Sequence, residues 1–359
     1  MTTDDRTSAP DPSAPLTLRL RTPDDLLATV PVVLGFEPRH SLVLLSFGAG
    51  GGAPSDAAER GPSGRGPSGR GPSGRGATGP HLRIGLPAPD DPPTALAEIV
   101  EAAVAPCRRH GVASVAAVVY TPDPQLGAAT AARLEASCAA AGISVLALLR
   151  ADGEHWYAAG DAASAEGGAA PYRNESHPVR AAAVLHGRVV LGSREELANL
   201  LAPAGDEVRG PVAAAVAARG APRPGPAESR WVGESVARAA RSGRPLAVED
   251  AARLLVALRL GRHRDAAWAG VGRGEAAAHV EVWLDLVRRA PDGWRSGPAA
   301  LAALTAWLDG SGALAWCAVD VCLDEEPGHP LGRLVRDFLE AAAPPSWWEE
   351  VTGALGDPA

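Results

Sequence analysis

LTLRLRTPDDLLATVPVVLGFEPRHSLVLLSFG, from Leu16 to Gly48, reads as strand, capped helix, strand. Leu16, Leu18 and Leu20 alternate with Thr17 and Arg19, the two-residue period of a half-buried strand. Thr22 offers an N-cap hydroxyl and Pro23 suits the first helical position. Asp24 and Asp25 then fall where a carboxylate favours the positive end of the helix dipole. Leu26, Leu27 and Val30 supply an apolar face. Pro31 is expected to kink or end the helix, and Gly35 to supply a left-handed C-cap. Ser41 to Phe47 is almost wholly apolar, as in a strand buried on both faces.

On the N-terminal side, residues 1–14 have the composition of a disordered tail. On the other side the pentapeptide GPSGR occurs three times, at Gly61–Arg65, Gly66–Arg70 and Gly71–Arg75. Its period excludes a collagen helix, which needs glycine at every third place. Such a stretch cannot bury enough apolar surface to fold, so residues 49–79 read as a disordered loop between two strands. Loop closure costs only logarithmically more with length, so a fold can carry it. Arg60, Arg65, Arg70 and Arg75 could touch a phosphate-rich partner, but a solvated tether is the preferred account of them.

Beyond the loop the pattern is β-α-β-α-β: strands at His81–Pro87, Val112–Tyr120 and Ile143–Leu149, helices at Pro93–His110 and Gly127–Ala141. Three parallel strands with right-handed crossovers are expected. Asp152-Gly153 is a hairpin signal that returns the chain antiparallel through His155, Trp156 and Tyr157. A short strand at Arg188–Leu191 leads to a capping box, Ser193 with Glu196. After Pro203 the rhythm changes to 3.6 residues, with apolar faces at Leu254, Leu255 and Leu258, at Val280, Trp283, Leu284 and Val287, and at Leu301, Leu304, Trp307 and Leu308. The fold class is an α/β N-terminal domain (15–203) with a mixed, partly parallel sheet, followed by an all-α helical domain (204–359). Ala315, Val319, Cys322 and Pro327 have the spacing of half a tetratricopeptide unit, so a bundle and a solenoid both stay open.

The whole resembles bacterial domain-of-unknown-function family 4192, of high-GC Gram-positive bacteria. The resemblance is carried by Arg19, Pro23, Asp25, Leu26, Pro31, Leu34, Gly35, Phe36, Pro38, Ser41, Leu42 and Val43. RIGLP at Arg83, SREEL at Ser193, RHRDAAW at Arg262, VEVWLDLVRRAP at Val280 and AWLDGSGALAWCAVDVCL at Ala306 continue it. It covers nearly the whole chain and implies no assigned activity. The resemblance implies a cysteine-rich stretch, carried by many members, where this chain reads YAAGDAASAEGG after Trp156, so no metal role is carried over there.

The chain has 359 residues and a formal charge of −8. Every basic residue is arginine. The acidic balance argues against nucleic acid as a partner. Cys107, Cys138, Cys317 and Cys322 are too few and scattered for a disulfide framework or a metal site, and fit a reducing compartment. The polar N-terminus is no signal peptide, and charges interrupt the longest apolar run. A cytoplasmic protein with no membrane association, no cofactor and no metal is expected.

In an open α/β sheet, ligands bind outside the carboxyl ends of the strands. Those ends place Thr121 and Asp123 beside Arg150 and Asp152, a set able to pair an acid with a base. Asp123, Arg150 and Asp152 are therefore the candidate catalytic residues, although ordinary turn chemistry also accounts for both aspartates. Arg264 and Asp265, in the RHRD run between two expected helices, are the candidate binding residues; a salt bridge at a helix junction is the plainer reading. His40 next to Ser41 lacks any nucleophile-elbow context, and GVGRGE at Gly270 misses the dinucleotide spacing. His279 and Glu281 are expected to face solvent or a neighbouring helix. Pro345-Ser346-Trp347-Trp348 is either the edge of a partner surface or an anchor onto the helices. Two readings follow: a binding or interaction protein with an unidentified protein or small-molecule partner, or an enzyme of unassigned class acting on a small anionic ligand at the strand ends.

Overall fold

The computed structural model describes residues 20–49, 79–159 and 169–348. The N-terminal tail, nearly all of the expected first strand, the GPSGR repeats and most of the cysteine-free stretch after Trp156 lie outside the described residues. The chain divides into two compact units, one of Met1–Val33 with Pro38–Val189, the other of Leu34–Glu37 with Val190–Ala359.

In the first unit, helix α1 (Pro23–Leu34) opens on a reciprocal cap. Thr22 Oγ1 accepts the Asp25 N–H, and Asp25 Oδ2 accepts the Arg21 and Thr22 N–H groups. Pro31 lies in the last turn of the helix, which ends at Leu34. It removes one donor, the one that would meet the Leu27 carbonyl, and the helix runs one further turn to Gly35 at φ +82°.

Strands β1 (Ser41–Ala49) and β2 (Leu82–Gly85) pair antiparallel. Helix α2 (Ala95–Arg109), β3 (Val112–Tyr120), helix α3 (Pro124–Ala140) and β4 (Ser144–Ala151) follow, and the Asp152-Gly153 turn returns β5 (His155–Ala158) antiparallel to β4. β6 (Ala170–Pro171) completes the order β2-β1-β3-β4-β5-β6, ahead of helix α4 (Pro178–Leu185). The sheet is mixed, as the pattern requires, but the three strands read as parallel are not neighbours throughout. β2, β3 and β4 do point the same way. β1 lies between β2 and β3, antiparallel to both, so β3–β4 is the parallel pair. β1, apolar on both faces, is an inner strand, and its Ser41–Leu44 backbone is bonded to β2 on one side and β3 on the other.

Alternate residues Leu42 and Leu44, then Val115, Ala117 and Val119, face Val100, Val104, Cys107, Leu134 and Cys138 of α2 and α3. The residues between them, including Val43, Leu45, Ala116 and Val118, are buried as well. Gly85, Ser41, Tyr120, Ala151, Trp156 and Ala170 are register partners in one row across the sheet. The carboxyl ends of β2, β3, β4 and β6 therefore share one edge.

The second unit is helical among its described residues: α5 (Arg194–Asn199), α6 (Asp206–Arg219), α7 (Pro226–Ser242), α8 (Val248–Ala257), α9 (Gly261–Trp268), α10 (Ala276–Arg289), α11 (Ser296–Leu308), α12 (Gly312–Glu325) and α13 (Pro330–Glu340). The expected strand at 188–191 reduces to a single bridge between Leu191 and Phe36, with Glu37 N–H on the Leu191 carbonyl and Leu191 N–H on the Gly35 carbonyl. The capping box forms: Ser193 Oγ accepts from the Glu196 N–H, and the Glu196 carboxylate accepts from the Gly192 N–H.

α11 is buried from Pro298 to Leu308, with α10, α12 and α13 against it, the arrangement of a bundle around a central helix. Trp348 is buried, edge-on to Trp268 and Trp307, while Trp307 donates its Nε1–H to the Ala343 carbonyl. The Pro345–Trp348 segment anchors onto the helices through Trp348. His279 does not face solvent; it lies one turn before the fully buried Trp283 on the same stripe of α10.

On α7, the buried Glu228 accepts two hydrogen bonds from Arg253 at 2.8 and 2.7 Å, and Arg253 stacks on Trp231. Those bonds hold the Glu228 carboxyl below its usual 4.5. Glu228→Ala leaves the cation unpaired and is expected to cost about 3 kcal/mol. A group with a lowered folded value contributes fully above its unfolded value and loses that contribution as pH falls through the folded one. Urea midpoints should therefore separate wild type from variant more widely at pH 7 than at pH 3. An equal separation at both would show that packing, and not the ion pair, is what the variant removes.

Candidate functional site

The shared strand edge of the α/β unit carries its chemistry. Asp123 follows β3 as the N-cap of α3: its Oδ1 accepts the Gln125 and Leu126 N–H groups at 2.8 and 3.2 Å, and its own N–H donates to Thr121 Oγ1. Pro124 at the first position explains why α3 begins three residues ahead of the expected helix.

Asp152 ends β4. Its Oδ1 accepts the Glu154 and His155 N–H groups and its Oδ2 accepts the Tyr157 hydroxyl at 2.8 Å. Burial pushes this carboxyl up, but those donors and the nearby His155 outweigh it and hold the group below its usual 3.8. Both aspartates are thus committed to backbone amides.

Arg150 is the exception. It is 7% exposed on the α3 side of the sheet. Its Nη1 donates to the Thr121 carbonyl at 3.3 Å, and its guanidinium carbon sits 3.7 Å above the centre of the Tyr157 ring. No carboxylate pairs with it among the described residues. Gly127, in the first turn of α3, makes room for its stem: a Cβ there would stand 2.4 Å from Arg150 Cδ. The structure therefore links Arg150 to Asp152 through Tyr157, which accepts the cation on its ring and gives its hydroxyl proton to the carboxylate. Asp123 lies across the Thr121 turn from them.

At the β6 end of the same edge, the first turn of α1 and the loop before α4 enclose a cleft of about 330 Å³. Thr22, Asp24, Arg173, Asn174, Ser176 and His177 contribute to its lining. His177 caps α4 by accepting the Val179 N–H on Nδ1, and its Nε2 stands 3.4 Å from Asp25 Oδ1. Among the described residues no group of three or more His, Cys, Asp or Glu is placed to hold a metal ion.

Residues 23–346 match the family described as Domain of unknown function (DUF4192). The chain belongs to the DUF4192 family. No curated protein and no solved structure matches it. No helix among the described residues of this DUF4192 chain is long and apolar enough to cross a membrane.

Of the sequence candidates in the helical unit, Arg264 and Asp265 lie on α9 and not between helices, and pair with each other at 3.3 Å. Their neighbour His263 is fully buried. It takes the Ser229 hydroxyl on Nδ1 at 2.8 Å, while its Nε2 meets the Arg223 carbonyl at 2.9 Å, so it ties α9 to α7. Sequence reasoning missed the cleft. Its residues come from segments about 150 positions apart, and the one local signal was His177-Pro178, a cap followed by proline.

Asp123→Ala removes the α3 cap and is expected to cost about 1 kcal/mol. Asp152→Asn should destabilise at pH 7 and less at pH 3, because the lowered carboxyl contributes above its usual value and loses that contribution in acid. Thermal unfolding of both variants at the two pH values checks this. A pH-independent loss for Asp152→Asn would assign its effect to turn geometry alone.

Proposed function

We propose that this DUF4192 chain is a binding protein whose α/β unit holds a small anionic ligand at the carboxyl-end edge of its sheet, against Arg150. The observation that carries the reading is an arginine more than nine-tenths buried as a residue, with no carboxylate partner among the described residues. Removing an unpaired charge from water costs several kcal/mol. One carbonyl at 3.3 Å and the face of Tyr157 return part of that cost, the ring contact about 1–2 kcal/mol. An anion on the remaining guanidinium donors completes the compensation.

The position favours the same ligand. Strand ends and helix N-termini converge at this edge of an α/β sheet, and the first turn of α3 brings the positive end of its dipole over Arg150. Binding is favoured over catalysis because the flanking carboxylates of Asp123 and Asp152 accept backbone N–H bonds and do not stand ready to exchange a proton. Both nitrogens of His177 are likewise engaged.

Thermal unfolding of the full chain in inorganic phosphate, sulfate and citrate, each against chloride at equal ionic strength, tests the reading. One of the multivalent anions is expected to raise the melting temperature. Saturation at one hundred times the dissociation constant corresponds to about 2.7 kcal/mol. Arg150→Met should keep the fold and lose the shift. A shift that survives Arg150→Met, or a wild type that responds to none of these anions while Arg150→Met is the more stable protein, overturns the proposal.

A further inference from the structure

The cleft between α1 and α4 is a separate place from Arg150, and its polar groups fall into two sets. One set is committed to the frame. Thr22 Oγ1 and Asp25 Oδ2 close the α1 cap, Asp25 Oδ1 meets His177 Nε2 at 3.4 Å, and His177 Nδ1 caps α4. Burial raises the Asp25 carboxyl, but the N–H groups of Arg21 and Thr22, the Thr22 hydroxyl and the His177 ring together hold it below its usual value, so this wall stays ionised. Pro171 and Pro178 stiffen the lining and bring no N–H of their own.

The other set is uncommitted. Asp24 and Arg173 are exposed residues that line the same cleft, carry opposite charges, and form no hydrogen bond or ion pair with each other or with any other described residue. Asn174 and Ser176 add an amide and a hydroxyl beside Arg173. An anion alone would satisfy Arg173 but meet repulsion from Asp24 and from the ionised Asp25. A cation alone would satisfy Asp24 and meet Arg173. A small molecule bearing both charges meets both at once, and about 330 Å³ is at the lower end of the range for small-ligand sites.

We infer that this cleft binds a small zwitterion of the free amino-acid class, with its ammonium group on Asp24 and its carboxylate on Arg173, Asn174 and Ser176. The framing pair Asp25–His177 ties the start of α1 to the start of α4 beside the two charges.

The test uses the purified full chain with free glycine, serine and glutamine as probes. Each is matched by its N-acetyl form, which deletes the cation, and by its amide, which deletes the anion. Calorimetric titration and thermal shift are expected to detect at least one free amino acid, with both blocked forms at least tenfold weaker. Asp24→Asn and Arg173→Met are surface changes that should leave the ligand-free melting temperature within a degree or so of wild type, and each should weaken the free amino acid at least tenfold. The phosphate response assigned to Arg150 should survive both, and amino-acid binding should survive Arg150→Met, so the two sites succeed or fail separately. Equal binding of an N-acetyl or amide form, unchanged affinity in Asp24→Asn, or no response to any of the three amino acids overturns the inference. The blocked-ligand comparison needs only wild type, so a variant that misfolds does not rescue it.

Discussion

The first half of β1, Ser41 to Leu44, has neither a free edge nor a free face, and the α/β unit is arranged around that constraint. Its backbone is bonded to β2 on one side and β3 on the other, and Ser41 to Leu45 are at most 2% exposed. Because both partners run against β1, β2 and β3 end at the same edge, and the parallel pairing of β3 with β4 adds a third strand end beside them. An edge defined by several strand ends concentrates turns and helix starts, and these groups carry the chemistry of the unit.

The polar groups at that edge do two kinds of work. Asp123, Asp152, Asp25 and His177 resemble catalytic residues by type, yet each is held by the backbone groups of a cap or a turn. Such bonds place the loops, and at Asp25 and Asp152 they also hold the carboxyl below its usual value. Arg150, Asp24 and Arg173 are different: their charges are left over once the fold's own hydrogen bonds are made. Gly127 shows that the first of these is accommodated by design of the packing, since any side chain there would collide with the arginine stem.

The helical unit follows a different logic. Its central helix α11 is surrounded by others, and several of its polar groups pair internally: Glu228 with Arg253, His263 with Ser229 and the Arg223 carbonyl, Arg264 with Asp265. Four residues from the turn after α1, Leu34–Glu37, belong to this unit, with Phe36 1% exposed in its core and bridged to Leu191. Trp348 performs a similar service from the other end of the chain, filling the space between Trp268 and Trp307.

What the amino-acid sequence determined by itself was local. Period two against period 3.6, the Thr22-Pro23 and Ser193 caps, the Asp152-Gly153 turn and Gly35 are all written within a few residues, because the hydrogen bonds that enforce them span a few residues. The class of the fold, the hairpin after β4 and the helices beyond position 203 were legible for that reason, and so was the edge at which Arg150 and Asp152 would stand. What only the tertiary structure decided were the pairings across distance. The insertion of β1 between β2 and β3, the turn of His279 toward the interior, the seating of Phe36 among helices, and the meeting of Asp24 with Arg173 in one cleft depend on which apolar faces find each other. That choice is made by the sum of many small burial energies over the whole chain, and no short stretch of residues contains it.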